Sequence, residues 1–344
     1  MNAGVVVADI ISSTIVFAVP LLLVAMGGMF SERSGIINIA LEGIMIIGAL
    51  MGCLMLRWLD PYVTAGQLGS QLAMLIATLF AGVCGMVFSV LLAFASINLK
   101  ADQTIGGTAL NMLAPALAIV LTWVVQGQGQ TTILIPTWTR MSSESLGITV
   151  KSSFLQSLLF KNLYLTTLIT ILLFAIAVIL LYKTKFGLRL RSCGEHPQAA
   201  ASVGINVYKM RYSGVLISGF LGGIGGLAFT LAAGSGFQSS VAGYGFLALA
   251  VMIFGNWKPW TILGASLFFA LFKVIGAYAT TLQKLGPFFD WLFGWPDKIG
   301  IKEGTSTYLW PMLPYLVTMI LLVLTSKKSR APKAEGIPYD KGMR

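Results

Sequence analysis

Long apolar runs separated by short polar segments dominate this chain. A helix needs about 20 mainly apolar residues to cross roughly 30 Å of hydrocarbon. Runs of that kind lie near 5–30, 36–56, 72–98, 105–126, 162–182, 212–234, 259–281 and 309–325. A shorter run, Gly243 to Asn256, is closed by Asn256-Trp257-Lys258-Pro259, which reads as a tight turn between two membrane segments. The pattern therefore predicts an all-α polytopic membrane protein of about nine transmembrane helices, with eight to ten admissible. The first run lacks the basic lead and small-residue cleavage site of a signal peptide and reads as a retained span.

Composition agrees with this reading: 56% of the 344 residues are hydrophobic and 10% are charged, against roughly 25% charged in soluble domains. The 23 Lys and Arg outnumber the 12 Asp and Glu. In a soluble protein such a surplus would suggest nucleic acid; here most of it sits between apolar runs and reports orientation instead. Placing loop 183–211 in the cytoplasm puts Lys183, Lys185, Arg189, Arg191, Lys209 and Arg211 inside. Alternation then carries the basic tail inside as well, together with Arg33, Lys100 and Lys258, and leaves fewer cations outside. The positive-inside rule thus favours N-out and C-in, with an odd number of spans. The chain divides into a transmembrane domain, 1–325, containing the cytoplasmic loop 183–211, and a basic cytoplasmic tail, 326–344. Two long outer segments result, 127–161 and 282–308; Trp291 and Trp295 in the second, with Trp310 just beyond it, suit a membrane interface.

Enzyme chemistry has little to stand on. No G-x-x-x-x-G-K-[ST] loop is present to cradle a nucleotide phosphate, and neither G-x-S-x-G nor H-E-x-x-H occurs. Cys53, Cys84 and Cys193 are too far apart for a disulfide framework or metal-ligand spacing, and the lone histidine, His196, cannot build a metal cluster.

Unwound backbone within a bilayer survives only where protein covers it or where it lines a cavity, so Gly-rich and polar interruptions point to a pathway. Ser34-Gly35-Ile36-Ile37-Asn38-Ile39-Ala40-Leu41-Glu42-Gly43 puts an amide and a carboxylate four residues apart near the start of the second span. The segment Gly234 to Phe246, with four glycines, opens the short run. The two enter from opposite sides, as two inverted-topology repeats with broken helices would, although close helix packing also produces such segments. Glu42 either locks two spans by a hydrogen bond or lines the path. Asn111 is open to the same two readings, and Lys273 is expected to snorkel to the interface. In span six, Gly219/Gly223 and Gly222/Gly226 form two overlapping small-xxx-small pairs for close packing. Gly194 to Gly204 reads as a short helix with Pro197 in its first turn and Gly204 at its end, either a docking element for a cytoplasmic protein or a capped connector.

Several of these segments resemble the permease subunits of bacterial ABC importers for simple sugars and nucleosides, the ribose-permease-like group. The resemblance rests on Ser31 to Gly43, on Ala101-Asp102-Gln103-Thr104-Ile105-Gly106-Gly107-Thr108-Ala109-Leu110-Asn111, on the loop Gly194 to Gly204, on the run Phe246 to Trp257 and on the tail Ala331 to Tyr339. The Asn-Ile-Ala-Leu-Glu-Gly wording and the tail look most like the nucleoside subgroup, whose binding protein is a lipoprotein of the basic-membrane-protein type. His196 stands where the family often has Asn, and the stretch 286–308 departs from the subgroup.

The resemblance implies a permease subunit in the bacterial plasma (inner) membrane that forms the translocation pathway for nucleosides delivered by an extracellular binding lipoprotein. It implies a second permease, expected to be a paralogue, and cytoplasmic ATPase subunits that carry ATP and Mg; this chain itself holds no cofactor or metal, is no enzyme and binds no nucleic acid. Gly194, Glu195, His196, Pro197, Ala199, Ala200 and Gly204 are the candidate coupling residues, and Asn38, Glu42, Asn111, Phe246 and Met252 the candidate pathway residues. A simple-sugar permease, or an ATP-independent channel or secondary transporter titrating Glu42, is the alternative.

Overall fold

Eleven α-helices and no strand occur among the described residues of the computed structural model, which are 3–141, 163–284, 310–325 and 330–340 with the single positions Phe154, Leu158 and Trp291. Seven are long and apolar enough to cross a membrane: α1 (Ala3–Arg33), α2 (Leu41–Thr64), α3 (Ser70–Ala93), α4 (Gln103–Gln126), α5 (Leu165–Lys183), α8 (Val207–Ala233) and α10 (Pro259–Gln283). The others are α6 (Lys185–Glu195), α7 (Pro197–Ser202), α9 (Tyr244–Phe254) and α11 (Leu313–Thr325). The protein is thus all-helical and multi-pass. Trp295, most of the two expected outer segments and the tail positions 326–329 and 341–344 lie outside the described residues.

The helices differ from the apolar pattern in three places. The second run begins as helix only at Leu41, because Ser34 to Ala40 is unwound. The run at 309–325 yields helix from Leu313, 13 residues long, and is not among the seven. The short run becomes α9, whose 11 residues rise only about 16 Å, half the hydrocarbon thickness.

Helix α8 is the hub of the bundle, and its glycines allow this. A Cβ on Gly223 would lie 2.3 Å from the Ala81 carbonyl oxygen of α3, and one on Gly219 would meet Ser89 of the same helix. On another face of α8, a Cβ on Gly226 would lie 2.0 Å from the Met45 carbonyl oxygen of α2, and one on Gly222 would meet Ile44. The two small-residue pairs thus serve different neighbours. In a membrane, where lipid tails are as apolar as leucine, such backbone approach supplies the packing that holds helices together.

Loop 183–211 and the tail meet at one end of the bundle. Ala334 N–H donates to the Gly194 carbonyl, Arg211 to the Ile337 carbonyl, and Lys100 pairs with Asp340 at 2.9 Å. Cys193, Ala200, Val207 and Tyr339 form one buried cluster there, and burial pushes the Cys193 thiol up and keeps it unreactive. The start of α1 lies at the opposite end. Asp102 caps α4 at the basic end by accepting from the Thr104 and Ile105 amides, which hold its carboxyl below the usual carboxylate range.

Candidate functional site

Two interruptions of the helical bundle come from opposite ends and meet at Glu42. From the basic end, α1 stops at Arg33 and the chain continues unwound through Ser34 to Ala40 before α2 starts. The freed backbone groups find side-chain partners, as they must in lipid. Ser31 Oγ donates to the Ile36 carbonyl and Gln103 Oε1 accepts from the Ile37 amide. Asn111 does two jobs: its Nδ2 donates to the Ile39 carbonyl at 2.8 Å, and its Oδ1 accepts from the Gly43 amide at 2.8 Å. Polar residues of α4 thus stitch the unwound strand in place.

From the far end, Gly234 to Ala242 descends beneath the segment at Thr131 to Ile133. Phe237 exchanges both backbone hydrogen bonds with Ile133 at 2.9 Å, and Ser239 Oγ donates to the Thr131 carbonyl. The chain then turns through Gly243, at φ +76°, and begins α9. Helix α9 runs back to the basic end, where Trp257 Nε1 donates to Glu32 at 2.5 Å and Arg33 donates to the Trp257 carbonyl. It is therefore a half-membrane helix whose N-terminus lies inside the bundle.

Glu42 caps that N-terminus. Its two carboxylate oxygens accept from the Gly243 amide at 2.9 Å and the Gly245 amide at 2.6 Å. Two otherwise orphaned N–H groups are satisfied, and a negative charge faces the positive end of the helix dipole. Gly245 has no room for a side chain, because a Cβ there would stand 2.4 Å from the Glu42 backbone. Tyr315 of α11 completes the turn by donating to the Ala242 carbonyl at 3.1 Å.

The pathway candidates occupy unlike positions. Asn38 is fully buried and donates to Ser218 Oγ at 2.8 Å; Met252 is fully buried with its sulfur against Gly28. Glu42 is buried by its cap, and Asn111 is partly buried. Phe246, one turn into α9, is half exposed, and so is Tyr315 beside the Gly243 turn. Lys273 points inward rather than to an interface: its Nζ lies 4.3 Å from the Tyr244 ring centroid and 5.6 and 5.8 Å from those of Phe17 and Phe229. Sequence reading missed this aromatic setting, since Phe17, Phe229, Tyr244 and Lys273 lie on four different helices.

The coupling candidates divide between two helices. Gly194 and Glu195 end α6, and α7 begins at Pro197 with His196 as its cap, Nδ1 accepting from the Ala199 amide at 3.2 Å. The expected single helix from Gly194 is therefore broken at His196. Gly194 packs on the end of α1, where a Cβ would lie 2.3 Å from the Arg33 carbonyl oxygen. Pro197 and Ala200 are buried, whereas His196, Ala199 and Gly204 are exposed beside Val203, which is 74% exposed. Among the described residues no group of three His, Cys, Asp or Glu could hold a metal ion.

Residues 10–324 match the family model described as branched-chain amino acid transport system / permease component. The chain is 39% identical, over the whole of both chains, to the guanosine ABC transporter permease protein NupQ of Bacillus subtilis. It is 40% identical, over 99% of each chain, to the nucleoside ABC transporter permease protein NupC of Lactococcus lactis. Nucleoside ABC transporter permease protein NupB of the same Lactococcus strain is 24% identical, covering 94% of this chain and 83% of its own. No solved structure matches.

Proposed function

Because this chain belongs to the family of branched-chain amino acid transport system permease components, we propose that it forms the membrane pathway of an ATP-driven nucleoside importer. The observation that carries the substrate class is the end-to-end similarity to NupQ and NupC, two permeases named for guanosine and nucleosides. The importer operates in the bacterial plasma membrane with its basic end in the cytoplasm, N-out and C-in. Nine segments build the membrane domain, 1–325: the seven long helices, the half-helix α9 and α11. Residues 326–344 are a cytoplasmic tail. The convergence of the α2 and α9 lead-in segments from opposite ends supports an inverted-repeat plan.

ATP and Mg belong to separate ATPase subunits, which dock on α7 and its flanks through the exposed residues His196, Ala199, Val203 and Gly204. A second permease pairs with this one, and the presence of both NupC and NupB in one Lactococcus strain supports a paralogue in that role. An extracellular lipoprotein delivers the nucleoside. Within this chain Phe246 and Tyr315 have aromatic surface to offer a base, so the pathway is completed by the facing surface of the partner permease. Asn38, Glu42, Asn111 and Met252 hold the broken segments around α9, which carries Phe246. Both oxygens of Glu42 are engaged by amides, which favours a fixed structural carboxylate over a proton carrier.

The test is to purify the chain gently from its own membrane, identify what accompanies it, and measure uptake of labelled guanosine, uridine and ribose by the reconstituted assembly. Nucleoside uptake that requires ATP, with an ATPase and a second permease present, is the expected result. Uptake by the lone chain driven by a proton gradient would overturn the reading.

A further inference from the structure

An open cleft lies away from Glu42. It has a volume of about 530 Å3, lies between α3, α5 and α8, and is walled by Phe30, Met86, Leu180, Phe186, Ile217 and Phe220 among others. That volume falls within the roughly 300–1,000 Å3 of ordinary ligand sites, but the walls are almost wholly apolar. The cleft is open sideways. Ile176 of α5, which lines it, is 46% exposed, and Ile171, Leu172 and Ile179 of the same helix and Val83 and Val87 of α3 are exposed too; on helices read as membrane spans such surface meets lipid tails.

The mouth nearest the basic end is cationic. Leu180 and Phe186 line the cleft, so Lys183 and Lys185 stand within one turn of it. Ser213 also lines it and donates to the Lys209 carbonyl at 2.8 Å, which puts Lys209 one turn below. Lys183, Lys185, Arg189 and Lys209 are exposed, and none has a carboxylate partner among the described residues. Helix α6 fits an interfacial position independently of the cleft. Its buried face carries Gly187, Leu190 and Cys193, while Leu188, 64% exposed, projects beside Lys185 and Arg189. An apolar residue among cations on a helix at a bundle end is the pattern of a segment lying in the headgroup layer.

We propose that this cleft is a binding site for an anionic glycerophospholipid of the leaflet at the basic end, with one acyl chain between α3, α5 and α8 and the phosphate held by Lys185 and Lys209. Charge complementarity selects the occupant: basic pockets between membrane helices take anionic headgroups, and a wall with almost no polar groups takes a hydrocarbon chain. Bound there, the lipid ties α5 and α6 to the hub helix α8 beside the loop that leads to α7. It restrains the segment between the membrane bundle and the proposed coupling surface.

The test uses the full-length chain in bilayer nanodiscs containing phosphatidylglycerol or phosphatidylcholine, each with a photoactivatable acyl chain, and maps the cross-linked peptides. Cross-links on α5 and α8 that favour phosphatidylglycerol are expected. Lys185→Gln and Lys209→Gln, both at exposed positions, are expected to lower its cross-linking about fivefold each. Ile217→Trp, which fills the cleft, is expected to lower labelling by both lipids. Equal labelling by the two lipids in the unaltered chain would overturn the headgroup assignment, and labelling untouched by Ile217→Trp would place the lipid elsewhere. If an Ile217→Cys chain cross-links to a second permease in native membranes, the occupant is protein and the proposal fails.

Discussion

Replacing Glu42 by alanine removes the carboxylate that accepts from the Gly243 and Gly245 amides. Each buried N–H left unsatisfied costs about 1–3 kcal/mol, and losing the carboxylate from a helix N-terminus adds ~0.3–2 kcal/mol. Together Glu42→Ala is expected to destabilise the chain by about 2–8 kcal/mol, a large fraction of the 5–15 kcal/mol typical of folded domains. Glu42→Gln keeps one acceptor but turns an NH2 group toward the other amide, so about half of that loss is expected. Glu42→Asp keeps the charge and loses reach. The measurement is thermal unfolding in mild detergent followed by size-exclusion recovery, with nucleoside uptake measured in parallel. The expected order of stability is wild type, then Gln, then Ala, with uptake falling in step because the α9 lead-in no longer holds its turn. A Glu42→Gln chain as stable as wild type that takes up nucleoside without pH dependence would refute the capping argument. A stable Gln chain that has lost only proton-coupled uptake would restore the titrating-carboxylate reading.

Gly223→Leu should separate α8 from α3 and cost at least the ~1–3 kcal/mol of an overpacked core, whereas Gly264→Ala, with open space around it, should be neutral or stabilise slightly, as thermal unfolding of both variants will read. Val203→Arg, at the exposed C-terminal cap of α7, should uncouple ATPase activity from uptake while leaving membrane insertion intact; normal uptake would remove the docking role of that surface. Ala200→Arg should instead unpack the cluster with Cys193, Val207 and Tyr339 and lower stability. Burial pushes the Glu335 carboxyl up to about 7, although a hydrogen bond with Glu32 pulls it down. Its folded pKa is above the unfolded one, so tail docking is strongest below the ordinary carboxylate range and weakens as pH rises through about 7; limited proteolysis of the tail should speed up across that window, and Glu335→Gln should abolish the change.

Apolar run length located the helices because lipid demands it: seven runs became membrane-length helices, six of them within five residues of their expected bounds, while α2 ends at Thr64, eight residues beyond its run. The two broken segments were legible for the same reason: glycine and polar residues interrupt a span only where something else satisfies the backbone. Their partners were not legible. Glu42 and Gly243 are 201 residues apart, and no local pattern says that a carboxylate near the start of one helix caps another. Lys273 was misread because snorkelling is a rule about depth, while its actual neighbours are aromatic rings on three other helices. In loop 194–204, composition marked the capped turn but not the buried side, so Gly194 and Ala200 looked equivalent to the exposed residues beside them.

The same contacts specify how a push at α7 reaches the centre of the bundle. Gly194 sits against the Arg33 carbonyl, and Arg33 also donates to Trp257 at the end of α9. Helix α6, the end of α1 and the end of α9 therefore move as one body unless these contacts break. Above them, the unwound segment Ser34 to Ala40 is stitched to α4 by Gln103 and Asn111, and Glu42 joins α2 to the N-terminus of α9. On the proposed docking of an ATPase at α7, its displacement would be delivered to both ends of the half-helix that carries Phe246. Asn111 is the weak joint in that chain of contacts, because one amide side chain serves both the Ile39 carbonyl and the Gly43 amide. Asn111→Leu leaves one partly buried donor and one partly buried acceptor unpaired, a cost of about 2–6 kcal/mol. It should therefore lower uptake more than ATPase activity, since hydrolysis continues while the stroke is lost within the loosened segment. Equal loss of both activities would mean that the motion travels by another route.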